Sequence, residues 1–182
     1  MEKGYIQVYT GNGKGKTTAA LGVALRSVGN GFKVAILQFV KSPGFEYNEM
    51  KAFALISGIE GYEGKIIMEQ FGTGCCCLHD SAPSSADFEG ARKGLQRATQ
   101  FITSGEYDVV ILDELNIALW LKLLDLQEVL TLLKNKPENV EVIVTGRHAP
   151  EEILEMADLV TEMKEVKHYF RKGIIARPGI ER

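Results

Sequence analysis

The octapeptide Gly11-Asn12-Gly13-Lys14-Gly15-Lys16-Thr17-Thr18 constrains this chain more than any other stretch. It lies between an apolar β-rich run, Tyr5-Ile6-Gln7-Val8-Tyr9, and a segment from Thr17 to about Val28 in which Ala20, Val23, Ala24 and Val28 recur at helical spacing. Strand, glycine-rich turn and helix in that order make a cradle for phosphate. Glycines let backbone N–H groups turn inward, the helix N-terminus adds partial positive charge, Lys16 neutralises phosphate and Thr17 is placed to ligate Mg²⁺. The usual spacing is not met, because Thr10 stands where that pattern has its first glycine, so a tighter or differently aimed cradle is expected. The alternative is a Gly-Lys turn of no function, which the strand-loop-helix context disfavours.

The rest of the chain repeats the alternation of apolar runs and helical segments that builds a parallel sheet. Val34 to Phe39 reads as a buried strand, Glu46 to about Ile56 as a helix, and Lys65 to Gln70 as a further strand. Phe71 to Pro83 has no period and is expected to be a loop. Ser84 with Asp87 three residues on is an acidic form of the capping box and opens a helix to about Thr103. Val109 to Leu112 is a buried strand, followed by short helices at Ile117 to Leu124 and Leu126 to Lys134, then a strand at Val140 to Val144. Pro150 introduces a helix from Glu151 to Ala157, and Asp158 to Met163 reads as the last central strand. The expected fold is α/β: one doubly wound, mostly parallel sheet of the P-loop NTPase (RecA-like) type, a single domain over residues 1–182 with a basic tail at about 164–182.

Asp113-Glu114 follows the Val109 to Leu112 strand, where carboxylates face the ligand crevice and can hold Mg²⁺ directly or through water; a solvated strand end is the bland alternative. Thr145-Gly146-Arg147 falls at the same edge, so Arg147 is a candidate to stabilise a leaving phosphate or, equally, a surface arginine in a turn. Arg26 on the first helix reads as structural, with one helix face able to direct it to the site. Cys75, Cys76 and Cys77, beside His79 and Asp80, read as small pocket-lining side chains rather than a metal site, because adjacent cysteines rarely aim at one centre. Trp120 reads as core and His168 as structural or rim-lining.

Composition removes several classes of partner. Lysine and arginine number 21 against 24 aspartate and glutamate, a net charge of −3, which gives no global field for nucleic acid or an anionic membrane. No apolar run approaches the roughly 20 residues of a membrane helix, no signal peptide is evident, and the cysteines form no disulfide framework. A cytoplasmic enzyme is expected.

Taken together, the motifs resemble the ATP:corrinoid adenosyltransferases. The residues that carry the likeness are Gly11 to Thr18, Val110-Ile111-Leu112-Asp113-Glu114-Leu115, Thr145-Gly146-Arg147, Ala157 to Met163, Val166-Lys167-His168 and Gly179-Ile180-Glu181, in the family's order and over nearly the whole chain. The resemblance implies transfer of the 5′-deoxyadenosyl group of ATP to the cobalt of a reduced corrinoid, with triphosphate leaving. ATP is then a co-substrate and Mg²⁺ (or Mn²⁺) the cofactor; Lys16, Thr17, the backbone of Gly11 to Gly15 and Arg147 hold the triphosphate, and Glu114 or Asp113 binds the metal. It also implies ATP lying in the reverse sense along the loop, a homodimer, and a flavoprotein reductant as source of Co(I). One departure is that the family's better-known members carry pocket aromatics where this chain has Cys75 to Cys77.

Two rival classes stay open on the residues alone. A conventional P-loop ATPase or kinase would need a base near the γ-phosphate, and only Glu114 offers one. An ATP-binding regulator, or a nucleic-acid module using the basic tail, would need aromatics interleaved with the cations, whereas Tyr169 and Phe170 are adjacent.

Overall fold

The structure is a computed structural model, and it describes residues 1–42, 47–74 and 82–181. In chain order the elements are β1 (Ile6–Thr10), α1 (Lys16–Gly29), β2 (Val34–Gln38), α2 (Asn48–Ser57), β3 (Ile66–Gln70), α3 (Ser85–Thr103), β4 (Val109–Asp113), α4 (Leu115–Trp120), α5 (Leu126–Lys134), β5 (Glu141–Thr145), α6 (Glu151–Met156) and β6 (Leu159–Glu162). A 3₁₀ turn at Tyr169–Lys172 follows. The strands form one six-stranded sheet in the order β3-β2-β4-β5-β1-β6, with every pairing parallel.

Continuous apolar runs become central strands because helices cover both faces. Every residue of β2, β4 and β5 is buried. On one face Ala20, Ala24 and Val28 of α1 and Phe53 of α2 pack on Val34, Ile36, Val109, Ile111 and Ile143. On the other, α3, α4, α5 and α6 pack on Ala35, Leu37, Val110, Leu112, Val142 and Val144. The doubly wound expectation is met, and residues alternating along each strand divide between the two cores.

The capping signal at α3 is realised: the Asp87 carboxylate accepts from the Ser84 backbone N–H at 2.8 Å and from the Ser84 hydroxyl at 2.7 Å. Asp87 is itself buried and accepts from the Thr73 hydroxyl at 2.5 Å, which ties the chain after β3 to the start of α3.

Three expectations need correction. The helix expected at Ile117 to Leu124 runs instead from Leu115 to Trp120, because Glu114 at φ 61 turns the chain directly out of β4 and Lys122 at φ 58 breaks it. Trp120 is not core: it is 57% exposed and stacks on His148 with ring centroids 4.6 Å apart. The last strand is not central, since β6 pairs only with β1 at the sheet edge and is exposed along its length. The expected helix start at Glu46 and the Cys75 to Cys77, His79 and Asp80 cluster lie outside the described residues.

Candidate active site

The glycine-rich turn leaves β1 and delivers the chain to α1 without a side-chain cap, so the first N–H groups of the helix are free to meet an anion. Gly15 enters the helix at φ 117, a conformation L side chains rarely adopt. A Cβ on Gly11 would stand 2.5 Å from the Met163 carbonyl oxygen, so the segment after β6 forms a wall against the loop. Lys16 is buried, and its ammonium donates to the carbonyl oxygens of Gly11 and Gly13, each at 2.8 Å. Burial pulls its pKa down, while the nearby Glu114 and Asp113 carboxylates pull it back up. The two carbonyls hold the ammonium inside the glycine-rich turn. Asn12, Lys14 and Thr18 are exposed around this centre.

Strand order explains how the second half of the site arrives. β5 lies between β1 and β4, so the Asp113 side chain reaches α1 across the end of β5, where Thr145 sits. Asp113 is fully buried, and its Oδ1 accepts from the Thr17 hydroxyl at 2.8 Å and the Thr145 hydroxyl at 2.7 Å. Its Oδ2 accepts from Gln38 Nε2 at 3.0 Å and pairs with Lys41 Nζ at 3.3 Å. Four donors occupy the carboxylate, which fixes its place and orients Thr17. Thr145 also accepts from the Glu114 backbone N–H at 3.0 Å, pinning the left-handed turn of Glu114.

Glu114 is the other extreme. Burial first, and then the Asp113 charge beside it, push its pKa up to about 7, against the opposing pull of Lys16, Lys41 and Arg147. An added cation at this place would restore the carboxylate. The donor set suits Mg²⁺: a hydroxyl at Thr17 and carboxylate oxygens at Asp113 and Glu114 are hard ligands, and Mg²⁺ is commonly held by one or two carboxylates together with substrate phosphates and water. No cluster of three or more His, Cys, Asp or Glu among the described residues could hold a metal without such help.

Arg147 is exposed, yet its charge acts on both Lys16 and Glu114, which places it beside the loop. Asn116 Nδ2 donates to the Gly146 carbonyl at 3.2 Å and fixes the turn that carries it. Arg26 lies exposed in the last turn of α1, at the far end of that helix from the phosphate loop, so the alternative that it reaches the site is not realised. His168 is structural, its Nδ1 accepting from the Phe170 N–H to cap the 3₁₀ turn.

Sequence reading missed Lys41. It follows β2, pairs with both Asp113 and Glu49 at 3.3 Å, and stands 4.6 Å from the centroid of the Tyr47 ring. Burial works to lower its pKa, but the two carboxylates outweigh burial and leave it raised. A lysine ending an apolar strand run was the available signal.

This arrangement of loop, buried aspartate and sheet order defines a P-loop α/β nucleotide-binding fold of the RecA-like type. Solved structures agree: flagellar accessory protein FlaH from Methanocaldococcus jannaschii superposes with a TM-score of 0.60 at 13% identity, covering 89% of this chain and 72% of that one. The KaiC-like protein PH0186 from Pyrococcus horikoshii OT3 gives 0.56 at 19% identity, covering 91% and 74%. The family model for ATP:corrinoid adenosyltransferase BtuR/CobO/CobP matches residues 2–182, and the chain belongs to that family. The corrinoid adenosyltransferase of Escherichia coli K12 is 38% identical over 99% of this chain and 86% of its own length. That of a Sinorhizobium species is 37% identical over 99% and 81%.

Proposed function

We infer that the chain transfers the 5′-deoxyadenosyl group of ATP to the Co(I) of a reduced corrinoid, and that Lys16, Glu114 and Arg147 carry the step at the phosphate loop. The observation that carries the site reading is the convergence of buried Lys16 and Asp113 with half-buried Thr17 at one sheet edge, the Thr17 hydroxyl lying 2.8 Å from Asp113. Cobalt uses its electron pair to form the Co–C5′ bond as the C5′–O bond breaks, and that bond pair leaves with triphosphate. The nucleophile is supplied by the substrate, so the protein's task is alignment and stabilisation of the leaving anion. Lys16 and the loop N–H groups from Gly11 to Gly15, apart from that of Gly13, which the Met163 carbonyl holds, bind the triphosphate with Asn12, Lys14 and Thr18 around them, and Arg147 faces the charge that develops on it. Mg²⁺ (or Mn²⁺) would supply further positive charge there, held by Thr17 and Glu114 with Asp113 behind them.

The same reading takes residues 1–182 as one domain acting as a homodimer in the cytoplasm, with a flavoprotein delivering the electron that makes Co(I). Among the described residues no helix is long and apolar enough to cross a membrane, and the net charge of −3 disfavours a nucleic-acid partner. An anaerobic assay with ATP, Mg²⁺ and a chemically reduced corrinoid tests the proposal. Alkylated corrinoid and one intact triphosphate per turnover are expected, with Lys16→Ala lowering kcat/KM on the order of 10²-fold or more. Orthophosphate release without cobalt alkylation would mean an ordinary ATPase.

A further inference from the structure

The loop's other lysine, Lys14, is not turned to the phosphate position. Its ammonium donates to Glu181 Oε1 at 2.9 Å, to the Tyr169 hydroxyl at 3.1 Å and to the Ile180 carbonyl at 3.4 Å. All three acceptors come from the segment after β6, so that segment uses the full donor capacity of the ammonium. The Tyr169 hydroxyl donates to the same Glu181 oxygen, and Arg177 binds Glu181 through its backbone N–H at 2.8 Å and its guanidinium at 3.2 and 3.1 Å. The Glu181 carboxyl is held well below the usual carboxylate range by Arg177, Tyr169 and Lys14, so it is an anion at neutral pH. The near end of the segment is anchored independently, by the Gly13 N–H donating to the Met163 carbonyl at 2.6 Å. Between anchor and Glu181 the chain turns back through left-handed glycines at Gly173 and Gly179.

We propose that Glu181 and Tyr169 are positioning residues for Lys14: the segment from Tyr169 to Glu181 is a strap that holds this lysine until the polyphosphate of the nucleotide takes it. Glu181 stands where an oxygen of the substrate would otherwise be the partner, and both anions cannot keep the same ammonium fully hydrogen-bonded. Polyphosphate binding therefore releases the far end of the strap while its near end stays fixed at Met163. The proposal rests on the loop binding polyphosphate.

Inorganic triphosphate with Mg²⁺ is the probe, titrated calorimetrically into the full chain. Removing the competing charge with Glu181→Gln is expected to tighten binding about threefold, the scale of an exposed ion pair. Tyr169→Phe should act in the same direction and less. In a Lys14→Met background Glu181→Gln should change nothing, and in turnover Glu181→Gln should lower KM for ATP without raising kcat. Hydrogen exchange of the wild type should show the Ile180 and Glu181 amides, which donate to the Arg177 carbonyl at 3.2 and 3.0 Å, losing protection when triphosphate is added. Equal or weaker binding by Glu181→Gln, or protection that holds or rises, overturns the strap. If Lys16→Ala binds triphosphate as the wild type does, it is the phosphate-loop reading that fails instead.

Discussion

Two sets of ion pairs flank the same loop and differ in the burial of the carboxylate at their centre and in where its partners come from. Around Asp113 the partners are buried (Gln38, Thr145) or half-buried (Thr17, Lys41), come from β2 and the chain just after it, β5 and α1, and leave no lone pair idle. Around Glu181, Lys14 and Arg177 are exposed and Tyr169 half-buried, and among the described residues all but Lys14 come from one short stretch of chain. In a low-dielectric interior a charge that loses its partner is costly, so the first network is fixed before substrate arrives. At the surface water replaces a lost partner, so the second can exchange. The contrast separates a preset half of the site from a replaceable one.

The sharpest way to break this contrast is Asp113→Asn. It removes the charge that Lys41 and Gln38 face and should lower stability by about 2–4 kcal/mol, read as a reduced urea midpoint, with activity lost as well. A midpoint within error of wild type would show the buried network to be dispensable.

Glu114→Gln should separate stability from activity. A carboxyl whose pKa is raised from 4.5 to about 7 keeps its proton in the folded state where the unfolded chain has released it. Stability therefore falls as pH rises from about 4.5 to 7 and stays low above. The glutamine variant lacks that penalty and should be more stable than wild type at pH 8, on the order of 2 kcal/mol, with the gap closing at pH 4. Turnover should fall at both ends of the range. A gap independent of pH would mean that Glu114 is not held protonated by burial.

The smallest effect is expected on the other side. Arg177→Ala removes two guanidinium contacts to Glu181 at an exposed site, and its thermal midpoint should match wild type within error. A marked loss would make the strap part of the folded core rather than an exchangeable contact.

The halves also differ in how far they could be read in advance. The loop, Asp113-Glu114 and Thr145-Gly146-Arg147 were legible because each ends an apolar run, and the edge of a parallel sheet gathers such ends. The α3 cap was legible because Ser84 and Asp87 satisfy local backbone geometry. Lys41 and Gln38 were not, because what gives them a role is strand order: β2 lies beside β4, and no spacing along the chain encodes that. Trp120 was misread because an aromatic at helical spacing reads as core, whereas the break at Lys122 leaves it at the surface against His148. β6 looked central by its apolar content, but only pairing decides whether a strand has one neighbour or two. Glu181 was marked as part of a family motif, and only the folded chain joins it to Lys14.

That junction links residues 167 positions apart in the chain. Contacts of such separation are formed only after a large loop has been closed, which is slow compared with helix formation or the pairing of close neighbours. The wall of the phosphate cradle at Met163 has the same origin, because β6 must dock on β1 before it stands there. A nucleotide that needs this complete place binds the folded chain and not the unfolded one, and so would stabilise the finished protein by mass action.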